Sequence, residues 1–373
     1  MTLKLLNKNI HSAKHWILCL FVWGLQASAA ASPAELAFEL EFTSEKIELG
    51  SKNQDAGIVD STAQYRAQTY FKKQIERKCS DCKIQELKDK YGVRKYRVFP
   101  RPDWYFEITL DPGILEITSS RISNVAEIEP ELQRLIWDTA DSLKMTFDTA
   151  GHLNFGVEST FGQDTRLFRN FYIDFLNNVG LSEGILGYRD LINAPHPERL
   201  KEQQRLNLKE LARDFDSSKH SIQDFAAQVQ AKVYFDFAPG FPISRDGGDK
   251  SEKFQSANMT SIAEEKNPWP RLELRSIPMQ RSARELRLLH QLFVARIEYL
   301  KKFSGHVAYD GARKINSSKA AMIEDFYRYV TESGLRWEDY RHWPERTYGF
   351  KTALKDFEKT IPRRGLSCKV VYH

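Results

Sequence analysis

The chain has 373 residues, of which 41% are apolar and 28% charged. That is an ordinary globular composition and excludes a long disordered tract. Formal net charge is +5, and removing the three lysines of the leader described next leaves 52 basic against 50 acidic side chains. So near a balance points away from a nucleic-acid binder.

Lys4, Lys8 and Lys14 precede the apolar run Trp16-Ile-Leu-Cys-Leu-Phe-Val-Trp23, and Ala27-Ser-Ala-Ala-Ala31 follows. A basic stretch, a short apolar stretch and an A-x-A pattern read as a secretory signal peptide over residues 1–30. An uncleaved anchor is the alternative, but the run is short for a bilayer. No later stretch is long and apolar enough for a membrane helix, so the exported chain is expected in the periplasm or outside, off the membrane. Residues 31–373 then form one domain, with a polar, mostly helical insertion at about 165–230. Three cysteines survive processing. Cys79-Ser-Asp-Cys82 suits a local disulfide in an oxidising compartment, with a redox pair or a metal half-site as alternatives. Cys368 is left over.

In chain order, Phe38-Glu-Leu-Glu-Phe42 predicts a strand, and 60–90 a helix broken near the cysteines. Strands are expected at 94–99 and 104–110, joined by Pro100-Arg-Pro-Asp103, and at 114–119 after the turn Asp111-Pro-Gly113. A helix over 126–146 and a strand over 152–159 follow. The run 197–205 reads as a solvated charged face, and His196 as a loop residue. Further strands are expected at 231–237 and 271–277, a loop at 239–248, and helices at 282–302 and 317–332. Trp337, Tyr340, Trp343 and Tyr348 read as core packing ahead of a substrate groove.

Five of these strands share one asymmetry. Phe38, Leu40 and Phe42 oppose Glu39 and Glu41; Leu115 and Ile117 oppose Glu116 and Thr118; Leu153, Phe155 and Val157 oppose His152, Asn154 and Glu158. Val233, Phe235 and Phe237 oppose Lys232, Tyr234 and Asp236; Leu272 and Leu274 oppose Arg271, Glu273 and Arg275. The apolar faces call for helices, which makes an α+β domain. The polar faces hold carboxylates, an imidazole and arginines. Carboxylates repel one another unless cations sit between them, and hard oxygen donors with an imidazole suit magnesium or manganese.

The ordered set Phe-Glu-Leu-Glu-Phe, Asp-Pro-Gly-Ile-Leu-Glu-Ile, Gly-His-Leu-Asn-Phe and Arg-Leu-Glu-Leu-Arg resembles the glutamine synthetase / glutamate–cysteine ligase superfamily, and within it the amidoligase-like branch of carboxylate–amine ligases. The resemblance spans about residues 38–302. It implies a curved, mainly antiparallel sheet with a polar concave face and helices on the other face. It also implies Glu39, Glu41, Glu116, His152 and Glu273 as metal ligands. Arg275, Arg271 and Glu116 would be catalytic, with Asn154, Glu158 and Asp236 toward the substrate. Glu107 matches the pattern poorly. The implied cofactors are Mg (or Mn) and ATP, and the implied substrate is a peptide or amino-acid carboxylate, with cell-wall peptide as one instance. His152-Leu-Asn154 departs from the His-x-His of that family, and export would place the enzyme where ATP is scarce. An ATP-independent amide hydrolase or transferase on the same fold therefore stays open, as does a non-enzymatic periplasmic carboxylate- or peptide-binding protein.

Overall fold

In β1 (Leu36–Phe42) the residues Leu36, Phe38, Leu40 and Phe42 are fully buried while Glu39 and Glu41 turn the other way. The same alternation runs through the sheet, because successive side chains of a strand leave opposite faces. The molecule is a computed structural model describing residues 34–44, 62–89, 91–111, 113–147, 151–184, 194, 196–234, 255–264, 266–277, 280–310 and 317–361. The expectations for the leader, the loop 239–248, Asp236 and Cys368 lie outside those residues.

After β1 come α1 (Thr62–Lys78), β2 (Lys83–Lys88), β3 (Arg94–Arg101), β4 (Trp104–Asp111) and β5 (Ile114–Ser119). Next, α2 (Val125–Leu132) continues through a π turn (Gln133–Trp137) into α3 (Asp138–Ser142). The chain proceeds through β6 (Gly151–Gly156), α4 (Val157–Phe161), α5 (Thr165–Asn177), α6 (Glu202–Asp214) and α7 (Ile222–Lys232). It ends with β7 (Ala257–Asn258), α8 (Thr260–Ala263), β8 (Arg271–Leu274), α9 (Ala283–Leu300), α10 (Lys319–Glu332), α11 (His342–Arg346) and α12 (Lys351–Glu358). This is the expected α+β class: eight strands in the order β2-β3-β4-β5-β1-β6-β8-β7, every pairing antiparallel.

The β4–β5 hairpin closes at Asp111↔Ile114. Gly113 in its turn has φ +75°, a left-handed value that a side chain disfavours. Behind the hairpin, α1 buries Gln64, Gln68, Phe71 and Ile75 at helical spacing. Its two glutamines act as clips: Gln68 Nε2 donates to the carbonyls of Arg94 (2.8 Å) and Ile108 (3.0 Å), and Gln64 Nε2 to those of Asp111 (2.6 Å) and Ile114 (3.2 Å). The apolar sheet face also meets α9, where Phe293 packs edge-on to Phe155 at 5.8 Å. Ser282 caps α9 by accepting from the Glu285 N–H.

Several expectations are corrected. Residues 83–88 form β2 instead of continuing a helix, and the Cys79–Cys82 disulfide sits at that junction. The strand at 152–159 stops at Gly156, where the chain turns into α4, leaving Glu158 exposed on a helix. Ala231 and Lys232 end α7 and are not strand. The strand from Arg271 stops at Leu274. At 165–177 the chain is helical as expected, and α5 is buried on nearly every side, with Asp174 bound to Arg296 of α9. Trp337, Tyr340 and Trp343 are core residues as expected, whereas Tyr348 is fully exposed.

Candidate functional site

Strand register assembles the polar face row by row. Arg97, Glu107, Thr118, Glu39 and His152 oppose one another across β3, β4, β5, β1 and β6. One step along the strands on one side, Thr109, Glu116 and Glu41 form the next row. One step on the other side lie Ala37, Asn154, Glu273 and Asn258. Four non-adjacent stretches of sequence thus deliver Glu39, Glu41, Glu116, His152 and Glu273 to one patch.

His152 is its centre, only 2% exposed. Its Nδ1 lies 3.0 Å from Glu39 Oε1 and 3.3 Å from Glu273 Oε1; its Nε2 lies 3.9 Å from Glu41 Oε1. Glu273 is held from both sides, accepting from Arg275 Nη1 at 2.7 Å and from Asn258 Nδ2 at 2.7 Å. Arg275 follows β8 directly and is itself buried. The Thr109 hydroxyl donates to Glu116 Oε1 at 2.7 Å.

The protonation states follow from crowding. Burial alone would raise Glu39, but the charge and hydrogen bond of His152, joined by Arg275, hold it well below the usual carboxylate range. Burial pushes Glu116 well up, and the charges of Glu39 and Asp111 push it further, against the Thr109 hydrogen bond. As a neutral acid, Glu116 donates to Glu39. Burial also raises Glu41, outweighing the pull of His152. For His152, burial and Arg275 act downward, yet Glu39 and Glu273 prevail and its pKa is raised.

Glu39, Glu41 and His152 each present a ligand atom, all within 4.8 Å of one another. Donors bound to one divalent cation at about 2.0–2.6 Å lie a few ångströms apart, so this set fits such an ion. A proton on His152 Nδ1, directed to Glu39 or Glu273, would leave Nε2 free toward Glu41, the usual division of labour for a metal-bound histidine.

The remaining candidates fall around this centre. Arg271 opens β8 and donates from Nε to Asn154 Oδ1 at 2.9 Å, so Asn154 orients an arginine. Glu158 is exposed beyond the end of β6. Glu107 shares the face but is occupied by Lys95 and Arg97, each at 2.7 Å. Asn258 and Thr109 went unread in the sequence. A two-residue strand shows no period, and Thr109 gains meaning only once β4 is known to pair with β5 in this register.

No family model and no curated protein matches the chain. Among solved structures it is similar to the complex between the prokaryotic ubiquitin-like protein Pup and its ligase PafA, at 10% identity and a TM-score of 0.36. That match covers 90% of this chain and spans 66% of the other. A likeness of that degree carries no argument about the site, which rests on the geometry above.

Proposed function

We propose that the protein is an exported carboxylate–amine ligase-like enzyme acting on a peptide or amino-acid carboxylate by metal-assisted phosphoryl or acyl transfer. The convergence of Glu39, Glu41 and His152 within 4.8 Å, with Arg275 and Glu273 beside them, carries the reading. Glu39, Glu41 and His152 would hold a magnesium or manganese ion, with Glu116 and Glu273 adjoining. Such an ion neutralises charge developing on a phosphoryl or acyl oxygen, and ATP, where it is the donor, supplies the phosphoryl group that activates a carboxylate.

The protein's own groups divide the rest. Arg275, fixed by Glu273, presents a positive charge to the same face and stabilises negative charge arising there. Glu116 keeps a proton on a carboxyl oxygen beside the carboxyls of Glu39, Glu41 and Asp111. The leader favours a second reading on the same site, an amide hydrolase or transferase that needs no ATP.

Calorimetric titration of Mn²⁺, then of ATP with Mg²⁺, into the purified mature protein and its Glu39→Gln and His152→Ala variants tests this. We expect one cation site in the wild type, weakened at least ~10-fold in each variant, as follows from losing one donor of a small set. Cation-dependent ATP binding supports the ligase; cation binding without nucleotide supports the hydrolase or transferase. A folded wild type that binds no cation sinks both.

A further inference from the structure

Away from the polar face of the sheet, α5, α9 and α10 leave between them a cavity of about 160 Å³, to which no strand contributes a residue. At about 30 Å³ per liquid water it holds roughly five, which is room for a small head group and too little for a nucleotide or a peptide. Asp174 lines it from α5, Arg296 from α9, and Asp325, Arg328, Tyr329 and Glu332 from α10. Three carboxylates thus face two guanidinium groups, an excess of one negative charge. Both guanidinium groups are already answered, Arg296 by Asp174 and Glu332, and Arg328 by Asp325. The last turn of α5 ends at the same cavity, with Asn177 and its C-cap Asn178, and a helix C-terminus carries the negative end of the macrodipole.

Two acceptors stand open at this cavity. Glu332 bonds Arg296 through Oε2 at 3.0 Å, and its Oε1 makes no hydrogen bond among the described residues. The Tyr329 ring carries Arg296 at 4.3 Å, but its hydroxyl is buried with no hydrogen-bond partner among the described residues. A buried hydroxyl left unbonded is a cost that a ligand bonding to it removes. The carboxylates do not converge as metal ligands do. Among the described residues only Glu39, Glu41 and His152 bring three such ligand atoms within 4.8 Å of one another. A bare divalent ion would therefore not be chelated here, whereas a cation that reaches outward through several N–H donors can span the wider set.

We propose that this cavity binds the ammonium end of a primary amine. The three N–H donors of the head group meet Glu332 Oε1, the Tyr329 hydroxyl and the excess negative charge of the walls. Glu332 and Arg328 are 42% and 56% exposed, so the cavity opens beside them and the alkyl chain leaves on that side. The site shares no residue with the metal centre and needs no ion there.

n-Propylammonium is the probe, titrated calorimetrically into the mature protein in EDTA and again with Mn²⁺. Tetramethylammonium has the charge without N–H donors, and 1-propanol the chain without the charge. We expect propylammonium alone of the three to bind, at one site and with the same affinity in both buffers. Glu332→Gln should weaken it ~10-fold or more, as loss of a charge-assisted hydrogen bond implies. Tyr329→Phe should weaken it about threefold or more, yet melt no lower than the wild type without amine, because the hydroxyl removed makes no bond there. Equal binding of tetramethylammonium, competition by Mn²⁺, unchanged affinity in both variants or a wild type that binds no amine overturns the site. Tyr329→Phe keeps the ring under Arg296, so it keeps the test informative should Glu332→Gln fail to fold. Failure of the metal centre would instead show as a wild type that binds no Mn²⁺ and still binds the amine.

Discussion

His196 shows how one buried side chain links the fold to pH. Its Nε2–H donates to the Leu176 carbonyl at 2.9 Å, and its Nδ1 accepts from the Glu198 N–H at 3.1 Å. Both ring nitrogens are satisfied only in the neutral tautomer, and burial pushes the pKa down to about 4. Between the unfolded value of 6.5 and the folded one, the unfolded chain binds the extra proton, so stability rises with pH across that window. Acidification from pH 6.5 to 4 should therefore cost about 3 kcal/mol at this residue. Urea denaturation at both pH values checks it: His196→Gln should be less stable near neutrality but lose less on acidification, and an equal loss in both proteins refutes the assignment. Read as a sequence, His196 was only a loop residue between prolines, since nothing in local pattern announces the Leu176 carbonyl. The acidic cluster was more legible because period-two alternation puts Glu39 with Glu41 and His152 with Asn154 on one face. Glu158 was misplaced because Val157-Glu-Ser159 prolongs the same alternation past the point where the backbone turns into α4.

At the scale of elements, one arginine joins three helices. Arg296 of α9 makes a fork-to-fork pair with Asp174 of α5 at 2.7 and 2.8 Å, bonds Glu332 of α10 at 3.0 Å, and stacks on the Tyr329 and Tyr299 rings. Removing one partner of a buried pair strands the other charge, whereas replacing both with apolar groups can be neutral. Asp174→Ala should accordingly destabilise by about 3–5 kcal/mol, and Asp174→Leu with Arg296→Met should recover most of that. Thermal melts of the single and double variants decide it, and a double variant as unstable as the single would show that the ion pair is itself a net stabiliser. Neither this triad nor α5 as a core helix was readable in advance. The stretch at Thr165–Asn177 read as helical and polar with no sign of its burial, because a sequence does not reveal which polar groups find partners. β2 was lost for a related reason: Lys-Ile-Gln-Glu-Leu-Lys is a short edge segment whose only strand partner among the described residues is β3.

For the molecule as a whole, the α+β class followed from five strands sharing one asymmetry, but the placement of β1 between β5 and β6 depends on long-range pairing that local pattern does not carry. That placement puts Glu39, Glu41 and Glu116 into adjacent rows, and the face holds acids that the fold alone leaves in tension. Glu41, Glu116 and His152 bind protons more tightly folded than unfolded, so their contribution falls as pH rises above 4.5 for the glutamates and above 6.5 for the histidine. Glu39 has the opposite sign, contributing above 4.5 and losing that as pH falls through its depressed folded value. A divalent cation at this centre would take over from the protons. Three consequences follow for calorimetry and melting. With EDTA, Glu116→Gln should match the wild type near pH 4 and exceed it at pH 8, where the wild type must ionise a buried acid. Mn²⁺ at a hundredfold over its Kd should stabilise the wild type by about 2.7 kcal/mol at pH 8, and Glu39→Gln by much less. Binding should release protons, measured as heats that differ between buffers of different ionisation enthalpy, and affinity should rise with pH from 6 to 8 as His152 gives up its proton. A melting temperature indifferent to Mn²⁺ at pH 8, in a protein whose Glu116→Gln variant still gains stability there, would mean that the acidic rows are a strained surface held by Arg275 alone and not a metal centre.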